Sequence, residues 1–356
     1  MSTAAERRTH PTPERAFADR SLEEYAEDIW DGLCTNVDRS VADADRAKIL
    51  MSGGIDSTLL GAVLVDLGLT SVEAVTCGYA DPALYGDETA VVRRATELLG
   101  LGVRETVTGL EWDLGAELRR VVRTLEQPTR FAIALPVSRM LKVLQGEADQ
   151  LLTGLFADRL FGQDDHDAAR WRRRYGAVPN ALRGVATIVA KTGTKLPGVQ
   201  RAARDFLAAR FDSSLEHYMN RFMFNRDLVG LLPTGDLMST QFFADVTAAI
   251  DSYGEMDAEV EMSLVGILTL ADNWTALFNR QADAAGVEVI LPFGGLSQFQ
   301  RAMGMPGVMK HAKGVEKPAL RLLSERHFGD EFTRRPKKMF AAPLQHWLLH
   351  SRCSWI

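Results

Sequence analysis

ILMSGGIDSTLL, residues 49–60, sets two glycines, a carboxylate and three hydroxyls between two apolar runs. The first run closes a short strand predicted over about Ala47–Met51. The second opens a buried helix predicted from about Ser57 to Leu67. A strand that turns at once into a helix aims its carboxyl end and the helix N-terminus at the same place. Unpaired N–H groups and the positive end of the helix dipole meet a ligand there. Gly53 and Gly54 let the turn form and let phosphate oxygens approach, while Ser52, Ser57 and Thr58 offer hydroxyl donors. The stretch therefore predicts a phosphate cradle. Asp56 is the odd member, because a carboxylate beside a polyphosphate repels it unless a hard cation lies between them. Asp56 is accordingly assigned to Mg2+. A Gly-Gly turn with Asp56 as a helix cap is the alternative.

Outward from this point the elements alternate. Ahead of it, Ser21-Leu22-Glu23-Glu24 reads as a capping box, and Leu22, Tyr25, Ala26, Ile29, Trp30 and Leu33 follow at helical spacing. Residues 1–20 read as a flexible arm. Behind it come a strand at Val72–Cys77, a helix from Asp87-Glu88 to Gly100, and a strand at Val103–Val107. Helices at about Leu110–Leu125 and Pro136–Leu144 then lead to a strand at Gln150–Leu152. This order predicts an α/β fold, a parallel sheet with helices on both faces and its ligand site at the carboxyl ends of the strands. Beyond about residue 163 strand signals fade. Residues 170–230 read as mostly helical, with Arg170, Arg172, Arg173 and Arg174 on a solvated face. Residues 257–285 read as one long helix, and the tail as loops and short helices. The α/β core is thus expected over about 47–162 and a helical part over 163–349.

Bulk properties narrow the function classes. Hydrophobic residues make up 46% and charged residues 25% of the 356, an ordinary globular balance. A net charge of -6 argues against a general nucleic-acid surface, which needs a basic footprint. Cys34, Cys77 and Cys353 are too few and scattered for a disulfide framework or a CxxC metal knuckle, which fits a reducing cytoplasm. The N-terminus has no apolar signal region, and no run of about 18 apolar residues predicts a membrane span.

The loop is not a Walker A motif, which requires GxxxxGK[ST]. SGGIDS after a strand resembles instead the PP-loop of ATP pyrophosphatases, which cleave ATP between the α- and β-phosphates and activate a substrate as its adenylate. The resemblance extends along the chain. Thr153-Gly154-Leu155-Phe156-Ala157-Asp158-Arg159-Leu160-Phe161-Gly162 resembles the SGEGADELFGG segment of asparagine synthetases. Asp87-Glu88 resembles the Asp-Glu that opens their helix beyond the second strand. Glu316-Lys317-Pro318-Ala319-Leu320-Arg321 resembles their EKxxLR segment. Arg335-Pro336-Lys337-Lys338-Met339-Phe340 with Pro343-Leu344-Gln345-His346-Trp347-Leu348 resembles RPKKGFxxPLxxWL, and residues 212–233 resemble the family's helical region. Residues 21–349 are similar to the synthetase domain of that family, the group that also holds β-lactam synthetases.

The resemblance implies roles at the matching positions. Asp56 and Asp158 would bind Mg2+ from two strand ends. Lys317 would stabilise charge on the polyphosphate or the tetrahedral intermediate. Arg335, Lys337 and Lys338 would neutralise pyrophosphate, and Gly154 would border it. Leu50, Met51, Val75, Thr76, Cys77 and Gly78 would lie by adenine and ribose, with Cys77 as packing rather than nucleophile. ATP and Mg2+ are the implied cofactors.

Three departures shape the substrate reading. Met1-Ser2 leads almost directly into the synthetase-like segment, where the family carries an N-terminal glutaminase whose nucleophile is a cysteine. The amine is therefore expected to be free ammonia, an amine substrate, an internal amine of the substrate or ammonia from a separate partner. At the second departure, Leu155 stands where asparagine synthetases have Glu and β-lactam synthetases Tyr, and leucine neither takes a proton nor holds an ammonium. Phe156 replaces a glycine and should narrow or cover the pocket. These changes point away from aspartate and towards a larger, more apolar acid. Thirdly, Glu288-Val289-Ile290-Leu291-Pro292-Phe293-Gly294-Gly295 departs from ExRxPFLD, with Ile290 for the arginine and Gly295 for the aspartate. Glu126, in Glu126-Gln127-Pro128-Thr129, is the remaining candidate for the acceptor pocket.

The reading reached is an ATP-dependent, AMP-forming amide ligase of secondary metabolism such as antibiotic biosynthesis. Its partners would be a small carboxylic acid, ammonia or an amine, and in some arrangements a carrier protein or second copy. Alternatives are a non-catalytic nucleotide-binding subunit or another PP-loop synthetase. The missing Cys pairs count against sulfur transfer and the acidic balance against tRNA.

Overall fold

The computed structural model describes residues 20–79, 88–108, 113–127, 129, 131–162, 182–191, 198–199, 202–203, 240–254, 256–268, 272–312, 315–333, 335 and 342–350. A five-stranded sheet runs in the order β3-β2-β1-β4-β5. Its strands are β1 Ala47–Leu50, β2 Glu73–Tyr79, β3 Val103–Thr108, β4 Gln150–Leu152 and β5 Glu288–Ile290, and each neighbouring pair is parallel. The chain adds β2 and β3 on one side of β1, then crosses to add β4 on the other. β1 and β4 therefore flank a topological switch point, the place where α/β sheets open a crevice at their carboxyl edge.

Both faces of the sheet are covered. Alternate residues of one strand enter opposite core clusters: Ile49, Ala74 and Leu152 join one, whereas Leu50, Val75 and Leu151 face the other. The first cluster is closed by the helices Leu22–Ser40, Ile55–Asp66, Thr89–Leu99 and Pro318–Phe328. The second is closed by Leu114–Leu125, Ala134–Leu144, Asp272–Asp283 and the short helix Leu344–His350.

Local signals read from sequence recur in the structure. The Ser21 hydroxyl accepts from Glu24 N at 3.2 Å and the Glu24 carboxylate accepts from Ser21 N at 2.7 Å, the reciprocal capping box. The Thr89–Leu99 helix ends on Gly100 in the left-handed region at φ 68°, as a C-terminal glycine should. Asp113 caps the next helix by accepting from Ala116 N at 2.9 Å, which sets its start at Leu114 rather than near Leu110.

Other expectations need correction. The helix after the glycine turn begins at Ile55, two residues early, so Asp56 and Ser57 lie in its first turn. β2 runs on to Tyr79. β5 was not expected at all, because three residues, Glu288-Val289-Ile290, are too short to show a period; pairing with β4 makes them a strand. The sheet thus draws on chain far beyond residue 162. Of the stretch expected as one helix over 257–285, Ala258–Gly266 and Asp272–Asp283 are helical, and residues 269–271 between them lie outside the described residues. A small antiparallel pair, His311–Ala312 with Val315–Glu316, was also not expected. Arg170, Arg172, Arg173, Arg174 and the 212–233 segment lie outside the described residues. Among the described residues no helix is long and apolar enough to cross a membrane.

Candidate active site

The glycine turn joins β1 to the Ile55–Asp66 helix at the switch point. Gly53 adopts φ 74°, a left-handed backbone that favours glycine, and an added Cβ would also crowd Glu88 Oε2 at 3.1 Å and Val91 at 3.3 Å. Gly54 is the N-cap and offers no side-chain oxygen to the first turn, which leaves that helix end suited to an anion. The hydroxyls are used differently from the sequence expectation. Ser57 Oγ accepts from Ser52 N at 3.1 Å and donates to the Gly54 carbonyl at 3.2 Å; Thr58 Oγ1 donates to the same carbonyl at 2.7 Å. Both side chains are buried. They hold the shape of the turn, while Ser52 is half-buried beside them with its Oγ 3.3 Å from Ser57 Oγ.

The second wall is the segment after β4. A Cβ on Gly154 would lie 3.1 Å from Asp56 Cβ and 3.2 Å from Ser57 N, so this glycine lets the two strand ends touch. Phe156 follows with φ 74°, a left-handed conformation rare for an aromatic residue, and precedes the helical turn Ala157–Phe161 that carries Asp158. The third element is Lys317. It sits at φ 52° between Glu316, the last residue of the small antiparallel pair, and Pro318, which opens the next helix. Left-handed backbone at a non-glycine residue costs on the order of 1–3 kcal/mol and persists only where surrounding contacts impose it.

Those contacts are the centre of the site. Lys317 Nζ donates to both oxygens of Asp56, at 2.7 and 2.6 Å, and pairs with Asp158 Oδ1. The lysine is 6% exposed. Burial pushes its ammonium towards the neutral form, but attraction from Asp158 and Asp56 outweighs that, so its pKa is raised above the ordinary value. The structure therefore brings Asp56, Asp158 and Lys317 into one cluster from three separate parts of the chain.

The donor set fits Mg2+. Two carboxylates from different strand ends supply hard oxygen ligands, and Mg2+ typically takes one or two carboxylates and completes its shell with phosphate oxygens and water. The ammonium bridging Asp56 and Asp158 marks a position where positive charge is already favoured. Among the described residues there is no group of three or more His, Cys, Asp or Glu arranged to hold a metal, so a cation here would need the nucleotide's oxygens as well.

A further carboxylate belongs to the loop. Glu88, the N-cap of the Thr89–Leu99 helix, leans on Gly53, and Arg335 Nη2 lies 3.7 Å from its Oε2. Arg335 is thereby brought to the glycine turn from the C-terminal segment. Sequence reading singled out Glu88 only as part of the Asp-Glu pair that opens this helix, and not as a site residue. Lys337 and Lys338 lie outside the described residues.

The remaining candidates are placed as follows. Leu50 is half-buried against the second core cluster. Cys77 is buried there, its thiol directed at the Pro136 carbonyl at 3.7 Å and pushed up to about 12 by burial, in keeping with packing rather than nucleophilic use. Leu155 belongs to the second cluster and Phe156 to the first, so adjacent residues point to opposite faces. The Phe156 ring rests against Gly294, where an added Cβ would be 3.3 Å from it. Ile290 is buried at the end of β5. Glu126 caps the Leu114–Leu125 helix in the left-handed region, 77% exposed and paired with Arg280 at 3.0 Å. Its ion pair is with Arg280 rather than with the Asp56–Asp158–Lys317 cluster.

The model of the asparagine synthase family matches residues 32–356. Proteins of Mycobacterium bovis and two strains of Mycobacterium tuberculosis, each named "Putative asparagine synthetase (glutamine-hydrolyzing)", are 25% identical over 331 residues, covering 90% of this chain and 49% of each relative. The chain thus spans about half the length of the curated relatives it matches. Among solved structures, an NH3-dependent NAD synthetase from Campylobacter jejuni aligns with 12% identity and a TM-score of 0.26, over 60% of this chain and 90% of that one.

Proposed function

The chain belongs to the asparagine synthase family, and from that premise we propose that it is an ATP-dependent amide ligase that adenylates a carboxylic acid other than aspartate. The observation that carries this reading is the Asp56–Lys317–Asp158 cluster at the mouth of the glycine turn.

In the first step a carboxylate oxygen of the substrate attacks the α-phosphorus of ATP. The bond from that phosphorus to the bridging oxygen breaks, and pyrophosphate leaves. In the second step ammonia or an amine attacks the acyl carbon, loses a proton, and AMP departs. The chain's contribution is placement and charge. The N-terminus of the Ile55–Asp66 helix holds phosphate oxygens. Asp56 and Asp158 would hold Mg2+, which when bound supplies neutralising charge to the departing pyrophosphate. Lys317, delivered buried and positively charged, meets charge that develops in the transition state. Arg335, with Lys337 and Lys338 from the same segment, would add to that field. Leu155 offers no proton acceptor, so the amine arrives neutral or is deprotonated elsewhere. The finer parts of the reading are a secondary-metabolic pathway, a cytoplasmic setting and, for the amine, a separate ammonia source or a carrier-bound substrate.

The test is pyrophosphate release with Mg-ATP over a panel of carboxylic acids in the presence of ammonia and simple amines, with Asp56→Asn beside the wild type. Release with AMP formation, lost in the variant, supports the ligase. ADP and phosphate as products reject it. The replacement of the family's charged residues by Leu155, Ile290 and Gly295 favours a second reading, a nucleotide-binding subunit without catalysis. Such a subunit would bind ATP calorimetrically yet release no pyrophosphate with any acid.

A further inference from the structure

Resting on the ligase reading for its catalytic consequence, we propose that Arg321 is a positioning residue for Lys317: its guanidinium fixes the backbone turn that delivers the lysine to Asp56 and Asp158. Lys317 has a left-handed backbone, φ 52° and ψ 51°, and its side chain does not cap the helix that follows. A non-glycine residue stays in that region only where its surroundings impose it. Arg321 binds the peptide groups on both sides of Lys317. Its backbone N donates to the Lys317 carbonyl at 2.9 Å, the first bond of the Pro318–Phe328 helix. Its side-chain Nε donates to the Glu316 carbonyl at 2.8 Å. The φ angle of Lys317 describes how the Glu316–Lys317 peptide is turned, so this second bond bears on the strained angle itself.

The guanidinium is anchored at a second point. Through Nη1 it also donates to the Thr333 carbonyl. Thr333 is buried at the end of the helical turn Asp330–Thr333, and its Oγ1 donates to the Gly329 carbonyl at 3.1 Å. Its neighbour Phe332 belongs to the first core cluster. The donors of a guanidinium share one rigid plane, so a plane tied to Thr333 holds the Glu316 carbonyl where a flexible ammonium would let it move. Charge on the donor strengthens both bonds. The helix itself gives no reason for a cation here. Arg321 stands fourth from the helix start, near the positive end of the dipole, where a carboxylate would be favoured. Its side chain binds Glu316 and Thr333 rather than Asp56 or Asp158, so it acts through Lys317 and not on the reacting atoms.

The experiment is limited acetylation of the full chain with acetic anhydride, read lysine by lysine by peptide mass spectrometry. Lys310, which is fully buried, is the internal control for general loosening. In wild type both Lys310 and Lys317 should label slowly. In Arg321→Met, Lys317 should label about 10-fold or more faster, because loss of a charged hydrogen bond raises the population of the locally opened turn. Lys310 should keep its wild-type rate. Arg321→Lys keeps the charge and the stem but not the rigid plane; it should show the same pattern more weakly, and it carries the test if Arg321→Met does not fold. With an acid that supports pyrophosphate release, kcat should fall about 10-fold or more in Arg321→Met while KM for ATP stays within about 3-fold, as expected when a group that meets transition-state charge is misplaced. Unchanged labelling of Lys317, equal acceleration at Lys310, or an unchanged kcat overturns the proposal. Absence of pyrophosphate release from wild type would remove the ligase reading instead, and the labelling would still decide whether Arg321 positions Lys317.

Discussion

Lys317 Nζ lies 2.7 and 2.6 Å from the two oxygens of Asp56, a residue 261 positions away in the chain, and both are held at the mouth of the glycine turn. Without the ammonium, Asp56 and Asp158 would lose the positive charge that bridges them. Lys317→Met should therefore lower unfolding stability by about 3–5 kcal/mol, the cost of breaking a buried ion pair from one side. Urea denaturation measures this. Mg2+ should recover more stability in the variant than in wild type, because a cation between the carboxylates then has no resident competitor.

The same lysine sets an alkaline limit. Its folded pKa is raised above the unfolded value of about 10.4. The stabilisation is therefore complete below that unfolded value and is lost as pH rises towards the folded one. Between pH 9 and 11.5 wild type should lose more stability than Lys317→Met does over the same interval. Parallel slopes in denaturation at several pH values would contradict the assignment.

Gly154→Ala places a methyl carbon 3.1 Å from Asp56 Cβ and 3.2 Å from the Ser57 backbone nitrogen. Backbone cannot yield as a side-chain tip does, so the Asp56 carboxylate must move. Contacts this close displace their neighbours by a few tenths of an ångström, so pyrophosphate release should fall, by less than the roughly 100-fold that a full ångström of misplacement costs. Circular dichroism should still show a folded protein.

Gly294→Ala sets a methyl 3.3 Å from the Phe156 ring and 3.2 Å from Leu291 Cβ. Overpacking of this kind costs about 1–3 kcal/mol. Combining it with Phe156→Leu should recover part of that loss, a coupling of about 0.5 kcal/mol or more in a double-mutant cycle. Strict additivity would mean that the two positions adapted separately.

Cys77 and Cys34 should differ in reactivity. Burial pushes the Cys77 thiol up to about 12, and burial together with Asp66 and Asp31 pushes Cys34 up to about 11. At pH 8 iodoacetamide should modify the half-buried Cys34 slowly and Cys77 only after unfolding. Peptide mass spectrometry with and without urea reads both.

By itself the sequence determined what depends on near neighbours. Ser21 and Glu24 are three residues apart, and their capping box follows from that spacing. The apolar runs around 49–60 are long enough to show a strand meeting a helix, and the glycines between them declare the turn. Strand and helix alternation from Ala47 to Leu152 was sufficient for the parallel sheet, since βαβ units close locally. Asp56, Asp158 and Lys317 could be singled out through a family resemblance, but their meeting at one point could not be derived from spacing. Tertiary structure alone decided the rest. Glu288–Ile290 becomes a strand because β4 offers it a free edge, a partner more than 130 positions distant. Ser57 and Thr58 turn their hydroxyls to the Gly54 carbonyl because the tight turn leaves that acceptor in reach. Leu155 and Phe156 separate onto opposite faces because Phe156 adopts a left-handed backbone at the strand-to-helix junction. Periodicity reports which face a residue occupies within its own element; where elements from distant parts of the chain pack, only the closed sheet and its two cores decide which side chains share a site.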